Sequence, residues 1–379
     1  MRMLDVLTTT PEYQDWQWQL AQHLRSAIED VYAERGGEVA CVAAMVGAMQ
    51  KTRTIHCRAA RGMHANVEGA FLDVDGEFLH GHRSQVKFSI GGEEHQRELA
   101  DLLVLASHVE GNRLRWQRAC FVQAKRASAG AGKKQGRFEI NKWQLALLHG
   151  FPAFHGVSGV FKDGDFHLRN RSGMLGAYGL LTAPGGFSLV SARIIKQVLS
   201  GRESLTSKDL VAAFVSEASS LRATTPVYPW PWWPLDPEHC PECREIVECC
   251  LPFPWRHHHH HHRGPHSDVA VHGNESPNSV LSCIGLDEFV QAWSGLRLGE
   301  KWRTGVGVTS DRTLHGAIAG LISRVASGTG QLHQLQGLLL EGFDNEPPEP
   351  PWRDDVEEAP SPGGGLGVLS LVVTSGPGE

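Results

Sequence analysis

"RELADLLVLASHVEGNRLRWQRACFVQAKRAS", residues 97–128, decides the fold. Two apolar stretches flank Glu110-Gly111-Asn112, a turn signal between alternating segments, so the whole reads as an antiparallel hairpin. Folding about that turn lays the start of the first strand beside the end of the second, and Asp101 and Lys125 then share one end. Side chains two apart on a strand share a face. Gln123 and Lys125 therefore point with Phe121, while Cys120, Val122 and Ala124 line the other side. A carboxylate, an amide oxygen and an ammonium meeting at one strand end suit a divalent cation and a phosphate. Their hard oxygens favour Mg2+, which takes few protein ligands and fills its octahedron with water and substrate oxygens.

Outward from the hairpin, apolar positions at Trp16, Leu20, Leu24, Ile28 and Val31 predict an amphipathic helix over residues 13–33, ended by Gly36-Gly37. The apolar run at 38–48 fits a strand or a short helix. Within FLDVDGEFLHGHRSQVKFSI, residues 71–90, Asp75-Gly76 reads as a hairpin turn. Ile140, Trp143, Leu147 and Leu148 fall on one helical face, stopped by Gly150 and Pro152, and residues 151–161 read as a further strand. Two more helices are expected at 191–199 and 207–221, the second opened by Ser207 ahead of Asp209.

At this point the residues resemble a family. Asp101 in E-L-A-D-L-L-V-L, with Gln123-Ala124-Lys125 in F-V-Q-A-K-R, is similar to the PD-(D/E)xK, or restriction-endonuclease-like, nucleases, in the branch carrying Asp followed by Q-x-K. The resemblance spans residues 60–165. It implies an α/β fold, a mixed sheet flanked by helices, and hydrolysis of phosphodiester bonds in nucleic acid, DNA favoured. By the same resemblance Asp101 ligates Mg2+ or Mn2+, the Gln123 side chain and the Ala124 carbonyl complete the protein ligands, and Lys125 positions the attacking water and stabilises the phosphate. Many members add a glutamate from the preceding helix or strand end; Glu98 is the first candidate and Glu68 the second. A glutamine at position 123 in place of an acid removes one negative charge, which favours a single metal over two. Gln144 resembles the glutamine that follows the lysine in relatives, although an exposed helical glutamine is the plainer reading. Relatives with this pattern are frequent in bacterial restriction and anti-phage defence, and the expected partners are nucleic acid, a second copy of the chain or a defence-system protein. The alternative is a non-catalytic nucleic-acid-binding or scaffold component with a degraded site.

Composition sets limits on that reading. In 379 residues, 36 Lys and Arg against 42 Asp and Glu leave a net charge of -6, which excludes a uniformly basic coat and requires any nucleic-acid contact to be a local patch. Lys125, Arg126, Lys133, Lys134 and Arg137 supply one, either a loop following a phosphate backbone or a solvated loop. SAGAGKK lacks the glycine and the hydroxyl that a P-loop requires. No secretory leader and no membrane-length apolar run are evident, so a cytoplasmic protein without membrane contact is expected.

The character of the chain changes after residue 224. Pro, Trp, Cys and His crowd residues 225–280 and predict an irregular insertion. There Cys240, Cys243, Cys249 and Cys250 offer thiolates to a structural Zn2+, against the plainer reading of reduced thiols. Six histidines, residues 257–262, read as native low complexity. Tyr228, Trp230, Trp232 and Trp233 alternate with prolines, an aromatic stretch that either stacks on unpaired bases or, more commonly, covers an apolar patch. The expected organisation is an N-terminal helical or αβ segment (1–60), the nuclease core (61–190), a helical segment (191–224), the irregular insertion (225–280), a helical C-terminal region (281–344) and a disordered tail (345–379). The C-terminal half is thus expected to be mainly helical and irregular.

Overall fold

The computed structural model describes residues 7–49, 55–57, 63–72, 85–111, 113–128, 136–158, 164–168, 172–210, 282–303 and 366–375, with isolated positions beside them. Two units emerge: Met1–Thr206 with Pro277–Glu379, and Ser207–Ser276. Of the second unit only residues 207–210 and 212 are described, and they are helical. The four cysteines proposed for zinc, the histidine run, the Trp/Pro stretch, Lys133, Lys134 and the Asp75-Gly76 turn all lie outside the described residues.

The hairpin of the quoted stretch forms as its alternation predicts. Strand β5 (Leu102–Glu110) pairs antiparallel with β6 (Arg113–Arg126), from Leu102 opposite Val122 to Glu110 opposite Arg113, with a register shift between His108 and Val109. Gly111 takes a positive φ of 58°, the backbone a two-residue hairpin loop needs. Around this pair a nine-stranded mixed sheet is built in the order β1 (Ile55–Cys57), β2 (Met63–Leu72), β15 (Leu366–Ser375), β5, β6, β10 (Gly176–Thr182), β11 (Gly186–Ser191) and β13 (Ser282–Ile284), with β14 (Glu300–Arg303) also on β6. Strand β10 runs parallel to the end of β6, so the connection between them must cross over the sheet. Helix α3 (Lys142–Gly150) lies in that crossover, capped by Asn141, whose side chain accepts from the backbone N–H groups of Trp143 and Gln144.

One face of the sheet carries the apolar core. Leu102, Val104, Ala106, Cys120, Val122 and Ala124 pack beneath α1 (Pro11–Ala33) and α2 (Glu38–Met49), joined by Phe289 and Trp293 of α5 (Leu286–Ser294). The ambiguous run at 38–48 is therefore helical. Both described free thiols, Cys41 and Cys120, are buried in this core, where desolvation pushes their pKa values to about 11 and about 12 and leaves them inert. On the opposite face α3 touches the sheet through Phe151 and Phe121, and helix α4 (Ala192–Leu199) packs beside it. A four-stranded antiparallel sheet, in the order β4 (Glu93–Glu98), β3 (Gln85–Ile90), β8 (Phe154–Gly156) and β9 (Asp165–Phe166), delivers the chain from β4 directly to Asp101. A small ladder joins β7 (Arg137–Glu139) to β12 (Ser204–Thr206).

Strands β2 and β3 belong to different sheets, because β2 pairs with β1 and β15 while β3 pairs with β4 and β8; the Asp75-Gly76 turn expected between alternating segments lies outside the described residues. Two expectations are corrected here. The tail expected to be disordered from residue 345 contributes β15 at 366–375, which fills the sheet between β2 and β5 and is almost wholly buried. Residues 282–303, placed in a helical region, form β13, α5 and β14. The helices expected at 191–199 and 207–221 are present as α4 and, where described, at 207–210 and 212, with β12 between them. The unit containing the hairpin thus extends well past residue 190 in both sequence and core.

Candidate active site

Strand β6 outruns its partner. Pairing with β5 begins at Leu102 opposite Val122, so on that side the backbone of residues 123–126 has no neighbouring strand. Two carboxylates take its place. Asp101 accepts the Ala124 N–H at Oδ2 (2.7 Å), and Glu38, the first residue of α2, accepts the Arg126 N–H at Oε1 (2.7 Å). Because peptide groups two apart in a strand face the same way, the Ala124 carbonyl points to this side as well, between the two N–H groups. The backbone of Asp101 is itself pinned on both sides: its N–H donates to the Val122 carbonyl, and its carbonyl accepts from the N–H of Gly367 in β15 (3.0 Å each).

The side chains converge as the hairpin geometry requires. Gln123 donates from Nε2 to Asp101 Oδ2, and its Oε1 accepts from Gln144 Nε2 of α3; Gln144 also donates to the Glu98 carbonyl (3.2 Å). Gln144 is buried, not exposed. Since both donations to Asp101 fall on Oδ2, Oδ1 lies outside them. Lys125 reaches Glu38 Oε2 at 3.4 Å, with about a fifth of its side chain exposed. The structure thus brings Asp101, Gln123, Ala124, Lys125 and Glu98 to one strand end and adds Glu38 and Gln144. The backbone of Glu68 lies in β2 opposite Ser370; its side chain is outside the described residues.

Two expected contributions have different geometry. Gln123 turns its nitrogen, not its oxygen, toward Asp101, because the Gln144 amide has donors for both the Glu98 carbonyl and Gln123 Oε1. Through this donation Gln123 orients the carboxylate. Arg126 stacks its guanidinium 4.1 Å over the Tyr32 ring and donates to the Gly36 carbonyl, so it fastens the corner between α1 and α2 instead of extending into solvent. Arg137 is exposed on β7.

Electrostatics distinguish this cluster from an ordinary capped strand end. A carboxylate that merely satisfied N–H groups would have a depressed pKa. Asp101 is held well above the usual carboxylate range: desolvation is the largest cause, Glu98 and Glu38 add to it, and the Lys125 charge and the Ala124 N–H oppose it without prevailing. A buried carboxylate kept from ionising beside other carboxylates is typical of sites organised for chemistry. The donor set fits a hard divalent cation, with Asp101 Oδ1 and the Ala124 carbonyl as oxygens and neighbouring negative charge to be offset. Among the described residues no three His, Cys, Asp or Glu side chains gather as a metal-holding group, so water would complete most of such a shell.

Glu38 is the residue that sequence reasoning missed. It opens a helix 87 residues before Lys125, and no local spacing connects the two. Among the described residues no helix is long and apolar enough to cross a membrane. No family model, no curated protein and no solved structure matches this chain.

Proposed function

We propose that the chain is a metal-dependent nuclease that hydrolyses phosphodiester bonds of nucleic acid, DNA favoured, at the overhanging end of β6. The observation that carries this reading is the meeting of Asp101, the Ala124 carbonyl, Lys125 and Glu38 where β6 has lost its strand partner. An antiparallel hairpin followed by a helix and a strand parallel to its second arm also agrees with the restriction-endonuclease-like resemblance. Asp101 and the Ala124 carbonyl would hold Mg2+ or Mn2+. Such a cation would supply an activated water and polarise a phosphoryl oxygen. Lys125 offers an ammonium to the charge that develops on the phosphate, and Glu38 holds that ammonium in place. Gln123 and Gln144 orient the Asp101 carboxylate from behind. A role in restriction or anti-phage defence follows from the resemblance.

A second reading, a nucleic-acid-binding module of the same fold without catalysis, is favoured by one feature: Gln123 gives Asp101 an N–H instead of giving a cation an oxygen. Cleavage of supercoiled plasmid and of single-stranded DNA by the full chain, with Mg2+ or Mn2+ or with neither, separates the two. The nuclease reading expects metal-dependent cutting, reduced at least about a hundredfold in Lys125→Ala, in line with loss of one electrostatic stabiliser. Equal DNA binding without cutting by either protein supports the module.

A further inference from the structure

The charges of this chain are unevenly placed on its helices. Helix α1 carries Glu12, Asp15, Glu29 and Asp30 against the single cation Arg25, which pairs with Asp287 of α5 (2.8 Å), and α5 carries Asp287 and Glu288. Helices α3 and α4, on the other face of the sheet, carry Lys142, His149, Arg193 and Lys196 and no carboxylate. In a chain of net charge -6 this is a segregation of sign. Lys142, Arg193 and Lys196 are exposed.

The cations are also gathered. Lys196 and Arg193 both act on His149, and after desolvation their like charge is what lowers its pKa; no carboxylate is among the causes. At the other end of α3 the Lys142 ammonium sits 4.6 Å over the Trp143 ring, which stacks on His95 at 3.7 Å, so that charge is held in a defined place. Like charges collected on neighbouring helices do nothing for folding and create a positive field at the surface. Helix α3 joins that field to the chemistry, because Gln144, two residues after Lys142, donates to Gln123. At about 1.5 Å per residue, α3 extends about 9 Å beyond Gln144 to its end at Gly150.

We infer that the outer surface of α3 and α4, from Lys142 to Arg193, is a track for the phosphate backbone of nucleic acid leading away from the Asp101 and Lys125 site. The inference deepens the nuclease reading, on which the direction of the track rests. Recognition here is of phosphate, so affinity is independent of sequence and falls steeply with salt. It adds the helices α3 and α4 to the local basic patch expected from the sequence, whose Lys133 and Lys134 lie outside the described residues.

The test is binding of a short fluorescein-labelled DNA, as single strand and as duplex, to the full chain without divalent metal, across about 50 to 200 mM salt. Arg193→Gln/Lys196→Gln is compared with Arg35→Gln/Arg113→Gln, a control that loses the same charge from exposed residues elsewhere. Thermal melting establishes that both variants fold. The track variant is expected to flatten the slope of log K against log salt by about 1 to 2 and to weaken binding severalfold at low salt, as for loss of two phosphate contacts. The control should match wild type. An unchanged slope in the track variant, an equal change in both variants, or no DNA binding by wild type overturns the inference. Selective weakening in a protein that never cleaves DNA leaves the track standing and removes the nuclease reading.

Discussion

At the residue scale the decisive observation is that Asp101 is held in a place unfavourable to its charge. Its pKa is higher in the folded chain than in the unfolded one, so the folded form binds the proton more tightly. Its contribution to stability is therefore full below the unfolded carboxylate value and is lost as pH rises through the folded value. Asp101→Asn keeps an oxygen for the Ala124 N–H and removes the charge. It is expected to stabilise the protein at pH 8 by on the order of 1 kcal/mol, as substitutions at strained functional sites do, with the gain shrinking toward pH 4. Thermal melts at the two pH values check this, and a variant less stable than wild type at pH 8 contradicts it. Asp101, Gln123 and Lys125 were legible in the sequence because strand alternation and one turn suffice to bring them together. Glu38 was not legible, since its meeting with Lys125 depends on how α1 and α2 lie across the sheet. The buried role of Gln144 was hidden for a similar reason: periodicity assigns a helical residue to a face, and only the packing of α3 against β4 and β6 shows that this face meets the site.

Among the elements, α3 carries the most consequence, because it both closes the crossover from β6 to β10 and supplies Gln144. Its approach to the sheet depends on Gly176 at the start of β10. A Cβ there would lie 2.2 Å from the Leu148 carbonyl oxygen, which is backbone and cannot swing aside. Gly176→Ala is expected to cost about 1 to 3 kcal/mol, the usual cost of overpacking, measured by denaturant unfolding. Displacement of α3 should also lower any cleavage rate through Gln144; a variant with unchanged stability and rate would show that the helix is not seated this tightly. The helix itself was legible from Trp143, Leu147 and Leu148 and from its stop at Gly150. The separation of β2 and β3 into different sheets was not legible, because alternation predicts strands without specifying which sheet each one joins.

Across the whole molecule the chain closes on itself through its last strand. Residues 366–375, LGVLSLVVTS, are apolar nearly throughout and buried on both faces, the pattern of a central strand. Its signal was obscured by the Pro, Gly and acidic residues before it, whose composition suggested a disordered tail. By pairing parallel to β5 and antiparallel to β2, β15 places Gly367 against the Asp101 backbone, where a Cβ would meet Val42, Val46 and Leu102 at 3.0–3.3 Å. Residues from the two ends of one compact unit, Glu38 and Gly367, thus meet at the hairpin end. A mixed α/β fold was readable from the alternating hairpin and the helical faces around it, while the sheet order was not, because pairings between distant strands leave no periodic trace. Segregation of sign between α1 and α3–α4 belongs to this scale too, since the net charge of -6 conceals it.

The most direct test of the site is a Mn2+ titration of the full chain at pH 8, followed by the electron paramagnetic resonance of free Mn2+, on wild type and Asp101→Asn. A saturable site in wild type that is lost in the variant, while the variant melts no lower than wild type, is the predicted result. Equal Mn2+ binding by both proteins, or none by wild type, would contradict a metal-dependent centre at the end of β6.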